Sequence, residues 1–272
     1  MIPFVKTEAL GNDFILVPED EAATTDYPAL ARRICHRRLG VGADGLILWK
    51  GGHGEFRLRI FNIDGSEAEC SGNGLRCAAA YLLGPDGDEG IRLETISGIY
   101  ALEKSGGQYS ADMGIPQLDP EAIPFRAEGH PERIVDYPLE VEGRTFRITA
   151  CATGNPHCSL FVTSIEPEMV ETIGPAIERH EAFPNRTNVE FIRVINRSEI
   201  EVAFWERGAG RTPASGTGSC GATVASVLNG RTAREVTVHT ENGDLAVEWR
   251  EDGRLRLRGE ATVVAEGRYL LS

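Results

Sequence analysis

The chain has 272 residues, 41% of them hydrophobic, enough apolar material for two domains of ordinary size with cores of their own. Its formal net charge is −13, from 28 basic and 41 acidic residues, so no basic surplus exists to neutralise phosphates, which argues against a nucleic-acid or acidic-membrane partner. No apolar run reaches the ~18 residues of a spanning helix, and Met1-Ile2-Pro3-Phe4-Val5-Lys6 lacks the basic-then-apolar layout of a signal peptide, so a cytoplasmic location is expected.

Strand patterns dominate from the start. Residues 3–6, 13–17, 46–49, 56–62, 91–95 and 99–103 alternate or run apolar between Gly and Asp turns. Two helices interrupt them: 28–38, with Leu30, Ile34 and Arg38 at helical spacing, and 74–83, made of small residues. The Pro-rich stretch 115–120 reads as a linker. Strands are then expected at 137–141, 145–152, 158–162, 188–194 and 200–205, with a helix at 167–179. A second small-residue helix at 218–229 precedes strands at 235–239, 245–249, 255–258 and 261–265.

The two small-residue helices open alike. Ser71-Gly72-Asn73-Gly74 leads into Leu75-Arg76-Cys77-Ala78, and Ser215-Gly216-Thr217-Gly218 leads into Ser219-Cys220-Gly221-Ala222, at an offset of 215 − 71 = 144 residues. Upstream, Phe61 and Trp205 each lie ten residues before their serine. This is a duplicated unit rather than a short-period repeat. Strands wrapped around one central helix in each half make an α+β fold. A helix N-terminus offers backbone N–H groups to an anion, so two such tips predict two halves gripping one anionic ligand.

Several other chemistries are set aside. Residues 216–221 match Gly-x-Gly-x-x-Gly formally, but Arg211-Thr212-Pro213-Ala214 before them reads as a loop, so no dinucleotide fold surrounds the match. No Gly-x-x-x-x-Gly-Lys occurs, and neither serine follows the Gly-x-Ser pattern of a hydrolase elbow. Lys6, Lys50 and Lys104 are the only lysines and none has the setting of a Schiff-base residue, so no cofactor is expected. Six cysteines without a Cys-x-x-Cys pair read as free thiols; Cys151, His157 and Cys158 make a poor zinc pattern, and no metal is expected.

Asparagines punctuate the strand ends: Asn12, Asn62, Asn155 and Asn188. Each beside Gly or Pro is an ordinary turn former, His157 alone could be a satisfied core residue, and Glu206-Arg207 could be a surface pair. Together they form a set of neutral donors and acceptors suited to a zwitterion. On Leu10-Gly11-Asn12-Asp13-Phe14, Gly40-Val41-Gly42-Ala43-Asp44-Gly45, Phe61-Asn62-Ile63-Asp64-Gly65-Ser66-Glu67, Gly72-Asn73-Gly74-Leu75-Arg76-Cys77, Gly154-Asn155-Pro156-His157 and Glu206-Arg207-Gly208-Ala209-Gly210, the chain resembles the diaminopimelate epimerase family over essentially its full length.

The resemblance implies two pseudo-symmetric domains, each a mixed β-sheet curled around a central α-helix, expected at 1–117 plus 262–272 and at 118–261. It implies a cofactor-free isomerase that interconverts LL- and meso-diaminopimelate by two-base α-proton transfer at positions 71 and 215, on the lysine and cell-wall route. Ser71, Ser215, His157 and Glu206 are then the expected catalytic set. Asn12, Asn62, Gly72, Asn73, Asn155, Asn188, Glu206, Arg207, Gly216 and Thr217 are the expected substrate-binding set, and a homodimer is an open expectation. The chain departs from its family where the chemistry lies, because both family cysteines are serine here, Ser71 and Ser215; Glu8-Ala9 is a second departure. Three accounts of the serines stay open: replacement made to trap a complex, a natural relative working through hydroxyls with His157 as base on another substrate, and a zwitterion binder without turnover. A related racemase or lyase on proline-like substrates is the remaining alternative.

Overall fold

The computed structural model describes residues 1–84, 90–129 and 131–271. Its contacts divide the chain into two units, Met1–Asp112 with Arg258–Ser272, and Met113–Leu257. These junctions fall a few residues before the expected boundaries at 117/118 and 261/262.

In the first unit a Leu10-Gly11 turn, both residues at positive φ, joins β1 (Ile2–Ala9) to β2 (Asn12–Pro18). Next come α1 (Tyr27–Ile34), β3 (Gly45–Gly52), β4 (Glu55–Asn62), the short β5 (Glu67–Ala68) and α2 (Gly72–Leu82). Strands β6 (Ile91–Thr95), β7 (Gly98–Ser105) and β8 (Gln108–Gly114) follow. The second unit runs β9 (Tyr137–Val141), β10 (Arg144–Ala152), β11 (Pro156–Phe161), α3 (Pro167–Glu178), β12 (Asn188–Asn196), β13 (Glu199–Glu206), β14 (Gly210–Thr212), α4 (Gly216–Leu228), β15 (Glu235–Thr240), β16 (Gly243–Trp249) and β17 (Leu255–Gly259). The last strand, β18 (Thr262–Tyr269), returns to the first unit and pairs antiparallel with β1.

The duplication read from two short motifs extends to the pairing pattern. In the first unit β1–β2 is antiparallel, β2–β3 parallel, β3–β4 antiparallel, β4–β6 parallel and β6–β7 antiparallel. In the second unit β10–β11, β11–β12, β12–β13, β13–β15 and β15–β16 repeat that sequence of directions. Strands β4 and β13 keep the motif offset at both ends, 199 − 55 and 206 − 62 both being 144. Each sheet is therefore mixed.

The helix that each sheet surrounds explains the small residues. Every position of α2 from Gly72 to Ala80 is buried, and every position of α4 from Gly216 to Ser226. Glycine, alanine and serine let strand backbones approach such a helix from all sides, which larger side chains would prevent. At Gly218 an added Cβ would stand 2.8 Å from the Phe204 ring, closer than any side chain tolerates. Helices α1 and α3 lie outside and bury one face only: Leu30, Ala31 and Ile34 in α1, and Val170, Ile173 and Ile177 in α3.

Two expectations need correction. The helix expected over 28–38 stops at Ile34: Val41 N and Gly42 N both donate to Ile34 O, and Gly40 packs against the carbonyls of Arg33 and Ile34 with no room for a Cβ. The chain is thereby turned before Arg37, whose guanidinium meets Asp13 and Asp44 instead of continuing a helical face. The expected linker also carries an isolated bridge. Gln117 N donates to Ala152 O and Ala152 N to Gln117 O, a bridge at the end of β10. Among the described residues, no helix is long and apolar enough to cross a membrane.

Candidate active site

In the first unit, Ser71 is the N-cap of α2. Its extended backbone (φ −143°, ψ 116°) aims Oγ at the first turn, where it accepts from Gly74 N at 3.0 Å. Asn73, in that turn, is buried, and its Nδ2 donates to Asn12 Oδ1 at 3.2 Å. Asn12 stands at the start of β2 because the Leu10-Gly11 turn ends there. Asn62, at the end of β4, is exposed and donates to Ser66 Oγ at 2.9 Å. Asn12, Ser71 and Asn73 thus gather with Gly72 at one helix tip, while the Asn62 amide turns to Ser66.

Beneath this tip lies a charge cluster that sequence reasoning passed over. Arg37 bonds Asp13 with both terminal nitrogens (2.8 and 3.1 Å) and Asp44 with one (2.5 Å), and Lys6 pairs with Asp13 at 2.9 Å. Burial pushes the Asp13 carboxyl up, but hydrogen bonds from Arg37 and Lys6 outweigh it and hold the group below the usual carboxylate range.

In the second unit, Ser215 caps α4 in the same conformation (φ −139°, ψ 124°), and its Oγ accepts from Gly218 N at 3.2 Å. The cap uses one of the N–H groups expected to be open to an anion, here and at Ser71. The Ser215 hydroxyl also bonds the Glu206 carboxyl, whose Oε1 accepts from Thr212 Oγ1 at 2.7 Å. Burial raises the Glu206 pKa, and the bonds from Thr212 and Ser215 and the nearby His157 only partly oppose this. A carboxyl with increased proton affinity, bonded to a hydroxyl at a helix N-terminus, is the arrangement a general base requires.

His157 is held from three sides. Its Nδ1 lies 2.6 Å from Glu190 Oε1 and its Nε2 2.7 Å from Asn155 Oδ1, while the ring rests on Gly221 of α4, where a Cβ would come within 2.9 Å. Glu190 Oε2 accepts from Ser159 Oγ at 2.9 Å. The imidazole is fully buried with both nitrogens engaged, so the account in which His157 itself is the base has no open nitrogen to rest on. Asn188 Oδ1 accepts from Arg207 N at 2.9 Å, and its Nδ2 donates to Pro156 O at 2.9 Å. Asn188 thus ties the Arg207 backbone to the end of β11. Thr217 is buried, and its carbonyl accepts from Thr153 Oγ1 at 3.4 Å.

Glu178, at the end of α3 and 2% exposed, shapes the Glu206-Arg207 turn: Oε2 accepts from Trp205 Nε1 at 2.9 Å and Oε1 from Gly208 N at 3.1 Å. A charge inside an otherwise apolar stretch was the available signal for Glu190 and Arg76, whereas Glu178, followed by Arg179, His180 and Glu181, gave none.

The remaining thiols do not replace the family cysteines. Burial pushes Cys35 and Cys77 up to about 12 and raises Cys151 and Cys158 well above the ordinary thiol range. Cys70, next to Ser71, is raised by burial as well, with hydrogen bonds to Tyr100 and Ser97 opposing the shift. Among the described residues, no group of three or more His, Cys, Asp or Glu side chains is arranged to hold a metal ion.

The diaminopimelate epimerase family model matches residues 4–118 and 149–264. A diaminopimelate epimerase of Moorella thermoacetica is 48% identical over 98% of this chain and 99% of its own length. That of Desulfitobacterium hafniense is 47% identical over 97% and 96%. Among solved structures, a predicted epimerase from Pseudomonas aeruginosa superposes with a TM-score of 0.69 at 20% identity, covering all of both chains. A hydroxyproline epimerase from Agrobacterium vitis, solved with trans-4-hydroxy-L-proline, gives 0.68 at 14% identity, covering 99% of this chain and 90% of its own. At these identities the structural likeness establishes the fold alone.

Proposed function

Since the chain belongs to the diaminopimelate epimerase family, we propose that it inverts one α-carbon of diaminopimelate, interconverting the LL and meso forms. Positions 71 and 215 are the two proton-transfer positions: one removes the α-proton and the other delivers a proton to the opposite face. The observation that carries this reading is the same serine-capped helix tip in both units, flanked by Asn12 and Asn73 in one and by Glu206 and His157 in the other. Substrate carboxylate oxygens suit the N–H groups of Gly72, Asn73, Gly216 and Thr217, where helix dipoles favour the negative charge that grows as the α-proton leaves. Arg207 and Asn155 extend the binding set. The reaction needs no cofactor, and the reading places it in the cytoplasm.

Serine limits the rate. A thiol at a helix N-terminus ionises near neutral pH, whereas a hydroxyl stays protonated there. In the second unit, proton transfer runs through the Ser215–Glu206 hydrogen bond, with the carboxylate accepting what the hydroxyl cannot hold. A second reading, binding of the zwitterion without turnover, is favoured by one observation: both hydroxyl oxygens are engaged as helix caps.

The test is α-proton exchange. LL-diaminopimelate is incubated in D2O with the parent chain and with Ser71→Cys/Ser215→Cys, and α-deuterium is followed by NMR. Slow exchange in the parent and fast exchange in the double variant are expected. Calorimetric binding with no exchange in either chain would establish the second reading, and absence of both binding and exchange would refute the two together.

A further inference from the structure

Arg76 is fully buried in the middle of α2, surrounded by alanine, cysteine and leucine. Burying a guanidinium is costly unless its donors are used, and nothing in the reaction described above employs it. Its Nη1 donates to Gly72 O at 3.2 Å and its Nε to Glu260 O at 3.4 Å. Its Nη2 donates to Asn73 Oδ1 at 2.7 Å. From there the bonds run on in one direction. Asn73 Nδ2 donates to Asn12 Oδ1 at 3.2 Å, and Asn12 Nδ2 donates to Asp44 Oδ2 at 2.9 Å. Asp44 is itself fixed by Arg37 at 2.5 Å and by the Asp13 N–H at 3.2 Å.

The ends of this chain set its polarity. A guanidinium can only donate and a carboxylate can only accept. A side-chain amide is nearly symmetric in shape and is oriented by its partners alone. Arg76 therefore forces the Asn73 oxygen inward and its nitrogen toward Asn12. Asp44 forces the Asn12 nitrogen toward itself and its oxygen toward Asn73. Flipping either amide would set oxygen against oxygen or N–H against N–H in the chain.

We infer that Arg76 and Asp44 are positioning residues: through the Arg76–Asn73–Asn12–Asp44 chain they fix which face of each asparagine amide is presented to substrate. The inference rests on the reading that Asn12 and Asn73 hold the substrate.

The test is a double-mutant cycle on the full chain with Arg76→Met and Asp44→Ala, residues with no direct bond to each other. Two readouts are taken: calorimetric binding of LL-diaminopimelate, and the side-chain 15N–1H2 signals of Asn12 and Asn73 without ligand. Each single variant is expected to weaken binding about tenfold, and the double variant by little more than either, because one broken link already frees the chain. In the ligand-free spectra, Asp44→Ala is expected to shift or broaden the Asn73 amide, and Arg76→Met the Asn12 amide, although neither pair touches. Additive binding losses, or remote amides that stay unchanged, overturn the inference. If the parent binds no diaminopimelate, the functional reading fails and the ligand-free spectra still decide this one. If Arg76→Met does not fold, Asp44→Ala, at a half-exposed side chain, decides it through the Asn73 signals.

Discussion

Gly174 on α3 is the position where a single methyl group should do most to the turn that carries Glu206. An added Cβ would stand 2.7 Å from Trp205 Cγ, 2.8 Å from its Cβ and 3.0 Å from Cδ2. These are the root and ring of a large side chain, not a flexible tip. The φ angle at Gly174 is not among the positive ones, so alanine would gain about 1 kcal/mol of helix propensity. Against this, overpacking in a filled interior costs about 1–3 kcal/mol. Displacing the indole also lengthens the Trp205 Nε1 bond to Glu178, and a hydrogen bond to a charged group is worth about 1.5–3 kcal/mol. The cost wins, and Gly174→Ala is expected to lose about 2–4 kcal/mol. Urea unfolding followed by far-UV circular dichroism measures the loss. A Gly174→Ala chain as stable as the parent, or more so, would show that Trp205 moves freely and that the Glu178 anchor is not a constraint.

Two further outcomes follow from titrating groups. Asp13 has a folded pKa below its unfolded value near 3.8, so its stabilisation is complete above that value and is lost as pH falls through the folded one. Arg37→Ala should therefore destabilise the chain at neutral pH by about 1–2 kcal/mol, the half-exposed arginine being screened by water. The penalty should shrink in unfolding curves taken at successively lower pH below 3.8, and a penalty constant across pH would contradict the assignment. Glu206 has the opposite sign. Its raised folded pKa means that its ionisation opposes folding above the unfolded value near 4.5, so Glu206→Gln should stabilise the chain at pH 7 and have little effect at pH 4, while abolishing any α-proton exchange. Equal effects on stability at both pH values would remove the case for a buried carboxyl of raised proton affinity at this site.

Much of the architecture was legible because its signals are local. Strands 91–95 and 137–141 were delimited at both ends by turn residues and alternation alone. The two Ser-Gly-x-Gly tips were visible as repeats, and the pairing directions of the two units bear out the duplication they implied. The helix at 28–38 was over-extended because Leu30, Ile34 and Arg38 keep helical spacing after the helix has ended. What stops it is Gly40 packing on the carbonyls of Arg33 and Ile34, a contact that periodicity does not encode. Likewise the Pro-rich stretch 115–120 reads as a connection because its pairing partner, Ala152, lies far along the chain.

The chain's residues alone determined which groups stand at the helix tips, since a serine before Gly-x-Gly caps a helix by a three-residue bond, and they determined that positions 71 and 215 both carry hydroxyls. Only tertiary structure decided what each of those groups can do. Glu206 reaches Ser215 across β14, Glu190 takes the His157 imidazole from another strand, and Arg76 and Asp44 orient Asn73 and Asn12 from opposite ends of one hydrogen-bond chain. Caps and alternation are set by neighbours a few residues apart. The proton affinity of the Glu206 carboxyl is set chiefly by burial, and the facing of the Asn12 amide by partners 32 and 61 residues away, which only the folded chain supplies.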